Sequence, residues 1–243
     1  KGAGADTWEY IGDRQWRGMD GRQWDEPGLI KHISEASLTN PLVLQIKLCN
    51  HAELMPLSPG GISSFRVLTS IDPQTSQIQV LAATLKMFKA GQVTDHWSRG
   101  GVACGVDIKT GVLRAARYRR IARAWEDIHQ HPDTGEQITG RQLSLWHEVV
   151  ELTTRAHHHF RQYPSLGWDV ALTPSGAVLL EGNVTWDARL IQQPCDYPLG
   201  APEFFRHYLG WYQQAVKQSP QVKPAIEHFH GWQASLKALK THL

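Results

Sequence analysis

Two strand-like stretches, 167–173 and 177–181, joined by Pro174-Ser175-Gly176, constrain this chain more than any other feature. Pro presets a turn dihedral and Gly supplies positive φ, so the three-residue break reads as the corner of a hairpin. Side chains on a strand alternate between faces. Glu181 and Asn183 are two apart and share one face; Asp169, on the neighbouring strand, can share it too. Leu179-Leu180 leads into Glu181 as a buried strand whose polar end packing alone does not explain. Two carboxylates and an amide oxygen form a hard-oxygen site of the kind Mg²⁺ prefers, completed by water and substrate phosphates. A surface hairpin with solvated acids is the competing reading.

The rest of the chain extends the β pattern. Residues 63–71 and 77–88 read as strands joined by Asp72-Pro73-Gln74, and 102–108 and 112–118 as a second hairpin around Lys109-Thr110-Gly111. A further strand, buried on both faces at its start, is expected over 42–48. Helical periodicity is expected over 27–38, most clearly over 143–163, and again over 202–216 and 225–239. There is no internal repeat and no evident linker, so the chain reads as α+β, in one unit or two lobes.

Formal charge is +2 over 243 residues, which predicts no nucleic-acid or membrane-surface partner. No apolar run is long enough to span a bilayer. The three cysteines, Cys49, Cys104 and Cys195, are sparse and unclustered, which argues for free thiols in a reducing compartment, the cytoplasm. The chain opens at Lys1 without an initiator Met, so a natural N-terminus either removed or lying upstream is expected. Ten tryptophans are explained mostly by buried packing, with sugar stacking as an alternative for a few.

Arg66 stands inside an otherwise apolar strand, and a lone buried charge needs a partner. A phosphate or carboxylate ligand would match its planar fork, and so would a structural salt bridge. Other tempting features take ordinary readings. His157, His158 and His159 are consecutive on a helix and point about 100° apart. His147-Glu148 lacks the second His of a zinc-protease helix. Arg114, Arg117, Arg119, Arg120 and Arg123 read as a solvated basic face, or as a seat for an anionic sugar or nucleotide diphosphate.

Asp on one strand, then Glu-x-Asn at the end of the next, resembles the metal-binding hairpin of ATP-grasp enzymes. Gly167-Trp168-Asp169-Val170-Ala171, Leu179-Leu180-Glu181-Gly182-Asn183 and Trp186-Asp187 are similar to the sugar-transfer-associated ATP-grasp family in particular. Ser64-Phe65-Arg66-Val67-Leu68-Thr69, Asp95-His96-Trp97-Ser98-Arg99-Gly100-Gly101-Val102, Val106 to Gly111 and His131 to Gly135 follow in family order. His96 stands where the family pattern has Asn.

The resemblance implies an ATP-grasp fold: two α+β lobes with antiparallel sheets, the N-terminal portion missing from this sequence. Residues 1–48 would be the remainder of the nucleotide-binding lobe and 49–243 the metal- and substrate-binding lobe. Lys1, beside Gly2 and Gly4, would belong to a phosphate-covering loop. Backbone groups of Gln45, Ile46, Lys47 and Leu48 would read adenine, and His51 or Glu53 would reach the ribose or serve only as turn residues. His96, Arg99, Gly100 and Gly101 would wrap substrate or phosphate. Asp169, Glu181 and Asn183 would hold Mg²⁺, and Arg66 would act on the transferred phosphoryl group or the substrate carboxylate.

The implied activity is an ATP- and Mg²⁺-dependent ligase acting through an acylphosphate, in cell-surface polysaccharide synthesis. Its partners would be a small-molecule carboxylate and an amine or sugar-linked substrate. An ATP-grasp kinase and a non-catalytic nucleotide- or carbohydrate-binding module are the alternatives. The sequence leaves the oligomeric state open.

Overall fold

The computed structural model describes residues 8–18, 20–39, 42, 46–58, 61–88, 101–118, 126–198 and 200–218. The chain separates into two compact units, Lys1–Leu48 and Cys49–Leu243.

In the first unit, β1 (Trp8–Gly12), β2 (Gln15–Gly18) and β3 (Gln23–Asp25) form an antiparallel sheet. Asp13 and Arg14 both have positive φ, the conformation of a tight turn whose twist matches its flanking strands. Helix α1 (Glu26–Ser37) starts where Asp25 accepts a hydrogen bond from the Gly28 amide at 2.9 Å, with Pro27 in the first turn. His32 packs against the rings of Trp8 and Trp24. The strand expected over 42–48 does not form at residues 46–48, which lie in irregular backbone. Ile46 is 90% exposed, so the apolar run gains no buried face there. Residues 43–45 lie outside the described set.

The second unit is built on a seven-stranded antiparallel sheet. Its strands are β4 (Ser64–Ile71), β5 (Ile78–Met87), β6 (Val102–Val106), β7 (Leu113–Tyr118), β8 (Glu126–Ile128), β9 (Ser165–Thr173) and β10 (Gly176–Asn183). They are ordered β10-β9-β4-β5-β6-β7-β8. Both expected hairpins form, and β4 lies between β9 and β5. Strand β4 is buried along all eight residues because both of its faces are covered.

Helix α2 (Trp146–His158) lies on one face. Phe65, Val67, Leu85, Cys104, Trp168 and Val170 point to that side and form the main core with Trp146 and Val149. Burying one such large side chain contributes about 1.5–3 kcal/mol. The helix is shorter than 143–163. Leu143 is buried with its amide on the Gly111 carbonyl, and residues 159–163 turn toward Pro164.

The other face carries α3 (Ala188–Cys195), which packs on β4 to β7. Leu68, Leu81 and Ala82 meet Ile191, Cys195 and Phe204, the last from α4 (Pro202–Gln218). The expected segments did not include α3. Its Gln192-Gln193-Pro194 interrupts the helical signal, yet Asp187 caps its start and Leu190, Ile191 and Cys195 are buried on the sheet. The helix expected over 225–239 lies outside the described residues.

Candidate functional site

Register decides which side chains meet. Glu181 pairs directly with Asp169, and Asn183 with Gly167. Directly opposed residues of an antiparallel pair project to one face, so Asp169, Glu181 and Asn183 share a face. A bulge at Leu180 shifts the register between Leu179 and Glu181. It lets Leu179 pack into the α2-side core while Glu181 points the other way. On the neighbouring strand Arg66 pairs with Asp169, and on its far side with Thr84. Phe65 and Val67 alternate into the core, which leaves Arg66 on the face of Asp169 and Glu181.

Arg66 and Asp169 form a two-pronged ion pair: Nε donates to Oδ1 at 2.5 Å and Nη2 to Oδ2 at 3.1 Å. Lys86, two residues beyond Thr84 on β5, donates to the same Oδ2 at 3.0 Å. These three residues are 8%, 5% and 5% exposed for Arg66, Asp169 and Lys86. At that depth charges are tolerated only when paired. Glu181 is exposed, and its Oε1 accepts a hydrogen bond from Asn183 Nδ2 at 3.0 Å. The Asn183 amide oxygen is therefore turned away from Glu181.

Two glycines shape the surroundings. A Cβ on Gly167 would lie 2.5 Å from Trp186 Cβ and 3.2 Å from Arg66 Cδ, so the bare backbone makes room for both side chains. A Cβ on Gly182 would lie 2.7 Å from the Trp168 ring on the opposite face. Beside Trp186, Asp187 caps α3 and is gripped by the Arg189 fork at 3.1 and 3.0 Å. Arg189 lowers the Asp187 carboxyl below its ordinary value, and the charge of Arg66 acts in the same direction.

Lys86 was not among the expected site residues. Its signal lay in the strand pattern: Leu85 and Met87 face the core, so Thr84 and Lys86 occupy a polar stripe on the other side. Among the described residues, no three His, Cys, Asp or Glu side chains gather as a metal site. The set in hand is two carboxylates and an amide. That composition fits Mg²⁺, which keeps several waters and binds through one or two carboxylates plus phosphates. Asp169 is the constrained member, because Arg66 and Lys86 already occupy most of its lone pairs.

The remaining expected residues are distributed differently. Lys1, Gln45, His96, Arg99 and Gly100 lie outside the described residues. Ile46, Lys47 and Leu48 are irregular backbone of the first unit. Gly101 is buried immediately before β6. His51 and Glu53 serve a turn: the His51 amide donates to Leu172 O, and the Glu53 carboxylate receives the Ser144 amide at 3.1 and 3.2 Å. Arg117 is tied to Asp127 and Asp196, and Arg114 to the Cys195 carbonyl, so neither is simply a solvated charge. His157 is a core residue, satisfied at both ring nitrogens. Cys49, Cys104 and Cys195 are free thiols. No helix among the described residues is long and apolar enough to cross a membrane.

Helices packed on antiparallel sheets agree with the α+β class of the ATP-grasp fold. The family model for sugar-transfer associated ATP-grasp proteins matches residues 25–199, and the chain belongs to that family. No curated protein and no solved structure matches it.

Proposed function

We propose that this protein binds ATP with Mg²⁺ and uses it to activate a substrate carboxylate, which an amine or sugar-linked nucleophile then captures. The observation that carries this reading is the placement of Asp169, Glu181 and Asn183 on one sheet face beside Arg66, within the family-matched segment. Glu181, Asn183 and Asp169 would hold Mg²⁺, which would supply positive charge to offset that of the ATP phosphates. Arg66 offers a planar fork to the oxygens of the transferring phosphoryl group.

The substrate carboxylate oxygen attacks the γ-phosphorus as the bond to the ADP oxygen breaks, giving an acylphosphate and ADP. The nucleophile attacks the acyl carbon, loses its proton, and expels inorganic phosphate. The chain's own contribution is to position the reacting groups and stabilise their charge, which is where most of the rate acceleration arises when a phosphoryl group moves. The family description names sugar transfer, and cell-surface polysaccharide synthesis is the setting we infer from it.

ATP with Mg²⁺ should raise the melting temperature of the protein. A ligand specific for the folded state contributes about 2.7 kcal/mol at 100 times its Kd. Glu181→Gln should reduce that shift. Absence of a shift at millimolar Mg-ATP in the wild type would count against the reading. For the reaction class, a ligase releases inorganic phosphate only when the nucleophile is present, whereas a stable phosphorylated product would replace ligase by kinase.

A further inference from the structure

The sheet face that carries Asp169 continues past the candidate site. Side chains of β4 alternate, so Arg66, Leu68 and Ser70 share that face, and β9 sets Asp169, Gly167 and Ser165 opposite them. Ser70 and Ser165 therefore lie four residues along from Arg66 and Asp169, about 13 Å at the rise of a strand. There α4 is fastened to the strand exit, where Trp211 Nε1 donates to the Ile71 carbonyl at 2.7 Å. Its Phe204, Tyr208, Trp211 and Tyr212, at helical spacing, line a cavity of about 250 Å³ together with Ser70 and Ser165. Trp186 spans the interval between site and cavity. Its Cβ covers Gly167, its Nε1 donates to Ser165 Oγ at 3.3 Å, and its ring meets Phe204 edge-on at 5.7 Å.

We propose that this cavity is a sugar subsite, which holds one neutral pyranose ring of the substrate while the reacting carboxylate lies at Arg66. The inference rests on the reading of the Arg66–Asp169 face as the place of carboxylate activation. Three features of the cavity favour a sugar. Its lining carries no charged side chain, which disfavours a phosphate or a nucleotide. Its volume is below the roughly 300–1,000 Å³ of pockets for drug-sized ligands, which suits a single ring. Its walls combine aromatic rings with hydroxyls. The plane of Tyr208 lies within 17° of Phe204 and 8° of Tyr212, so a flat ring aligned with one is aligned with the others. The C–H groups on a pyranose face are slightly positive and an aromatic face is negative, so the two attract.

The two serines supply the polar contacts. Ser165 Oγ accepts from Trp186, so its own proton can be donated to a ligand oxygen. His207 Nε2 accepts from Arg206 Nη2, so Nδ1 carries the proton and donates it to Ser70 Oγ. Ser70 donates in turn to the Pro164 carbonyl, which leaves one lone pair of its oxygen for a sugar hydroxyl. The spacing then says something about the substrate. One ring does not reach across about 13 Å of strand, so the sugar in the cavity is a separate unit from the one that bears the carboxylate. The substrate is longer than a monosaccharide.

The test uses the full chain without ATP or Mg²⁺ and reads sugar binding. An array of short neutral oligosaccharides is probed with wild type, Tyr208→Leu and Tyr208→Phe, and dissociation constants for retained glycans are measured by calorimetry, with adenosine as a competitor. Tyr208 is 50% exposed, so either replacement spares the core, and Leu keeps the apolar contact and the helix but has no ring face. Tyr208→Phe should bind as wild type does, and Tyr208→Leu about fivefold or more weaker, for the loss of one aromatic partner. No glycan bound by wild type, equal binding by Tyr208→Leu, or displacement of the glycan by adenosine at lower concentration overturns the sugar subsite. The Mg-ATP melting shift, read separately, tells the two failures apart. If it persists while no glycan binds, the subsite alone falls. If it is absent, the reading of the Arg66–Asp169 face falls, and with it the orientation of the substrate proposed here.

Discussion

Asp169 is the residue on which the candidate site turns. Its carboxylate is the shared partner of two buried cations, so its charge matters more to the fold than that of either cation alone. Asp169→Asn would leave Arg66 and Lys86 facing a neutral amide, and breaking a buried charge set in this way costs about 3–5 kcal/mol. Urea denaturation should show a loss of that order for Asp169→Asn. A variant as stable as wild type would mean that the Asp169 charge is not what holds the buried cations. Gly182 gives a second test at this scale. Its added Cβ in Gly182→Ala would press on the Trp168 ring, which is buried in the core. Overpacking of this kind costs about 1–3 kcal/mol. A variant as stable as wild type would show that the hairpin end tolerates displacement.

Among the elements, the junction of α2 with β4 and β9 is held by a polar chain inside the core. His157 Nε2 lies 3.0 Å from the Tyr163 carbonyl, so that nitrogen carries the proton and donates it. Nδ1 then accepts from the Thr69 hydroxyl at 2.7 Å, and Thr69 in turn accepts from Trp168 Nε1 at 2.8 Å. Thr69→Val keeps the shape but strands a ring nitrogen and an indole N–H, and each orphaned buried group costs about 1–3 kcal/mol. Calorimetric unfolding should show the loss, with Thr69→Ser recovering most of it. On the opposite face, α4 is fastened by His207 Nδ1 to Ser70 Oγ at 3.0 Å and by Arg206 to Asp72 at 2.9 Å. Both helices thus reach the same strand, β4 and its exit, from opposite sides through a buried histidine.

Across the whole molecule those histidines set a pH dependence. Burial lowers the pKa of His157 and of His207 from 6.5. Well above 6.5 both folded and unfolded states hold them neutral, and stability is level. As pH falls below 6.5 the unfolded chain takes up protons that the folded one refuses, so stability decreases. Carboxylates respond later. Burial raises the pKa of Asp72, but hydrogen bonds from Gln74, Arg206 and Thr75 outweigh it, and the net value is below 3.8. Asp187 is lowered by Arg189. Their contributions are present above 3.8 and are lost only as pH falls further. Melting temperatures measured from pH 7.5 to 5 should therefore fall already around pH 6, and less steeply in His157→Gln. A flat profile down to pH 5 would refute the histidine contribution.

The sequence by itself determined the strands. Alternation with Pro, Asp and Gly at the corners was enough to read β4, β5, β6, β7, β9 and β10, since hairpin partners are neighbours in the chain and their pattern is local. It also placed Glu181 and Asn183 on one face, because a two-residue spacing needs no tertiary information. Tertiary structure decided the rest. The pairing of β4 with β9 joins residues about a hundred apart, and only that contact puts Arg66 opposite Asp169. Lys86 reaches the same carboxylate from a third strand, and the pattern of β5 showed only that it lies on the polar side. Helix α3 escaped notice because its helical signal is broken by Pro194, and its stability comes from burial against the sheet. Residues 46–48 show the reverse case: a strand-like sequence that has no sheet partner among the described residues is irregular there. Local alternation fixes which side of a strand a residue faces, but only long-range pairing fixes what it meets there.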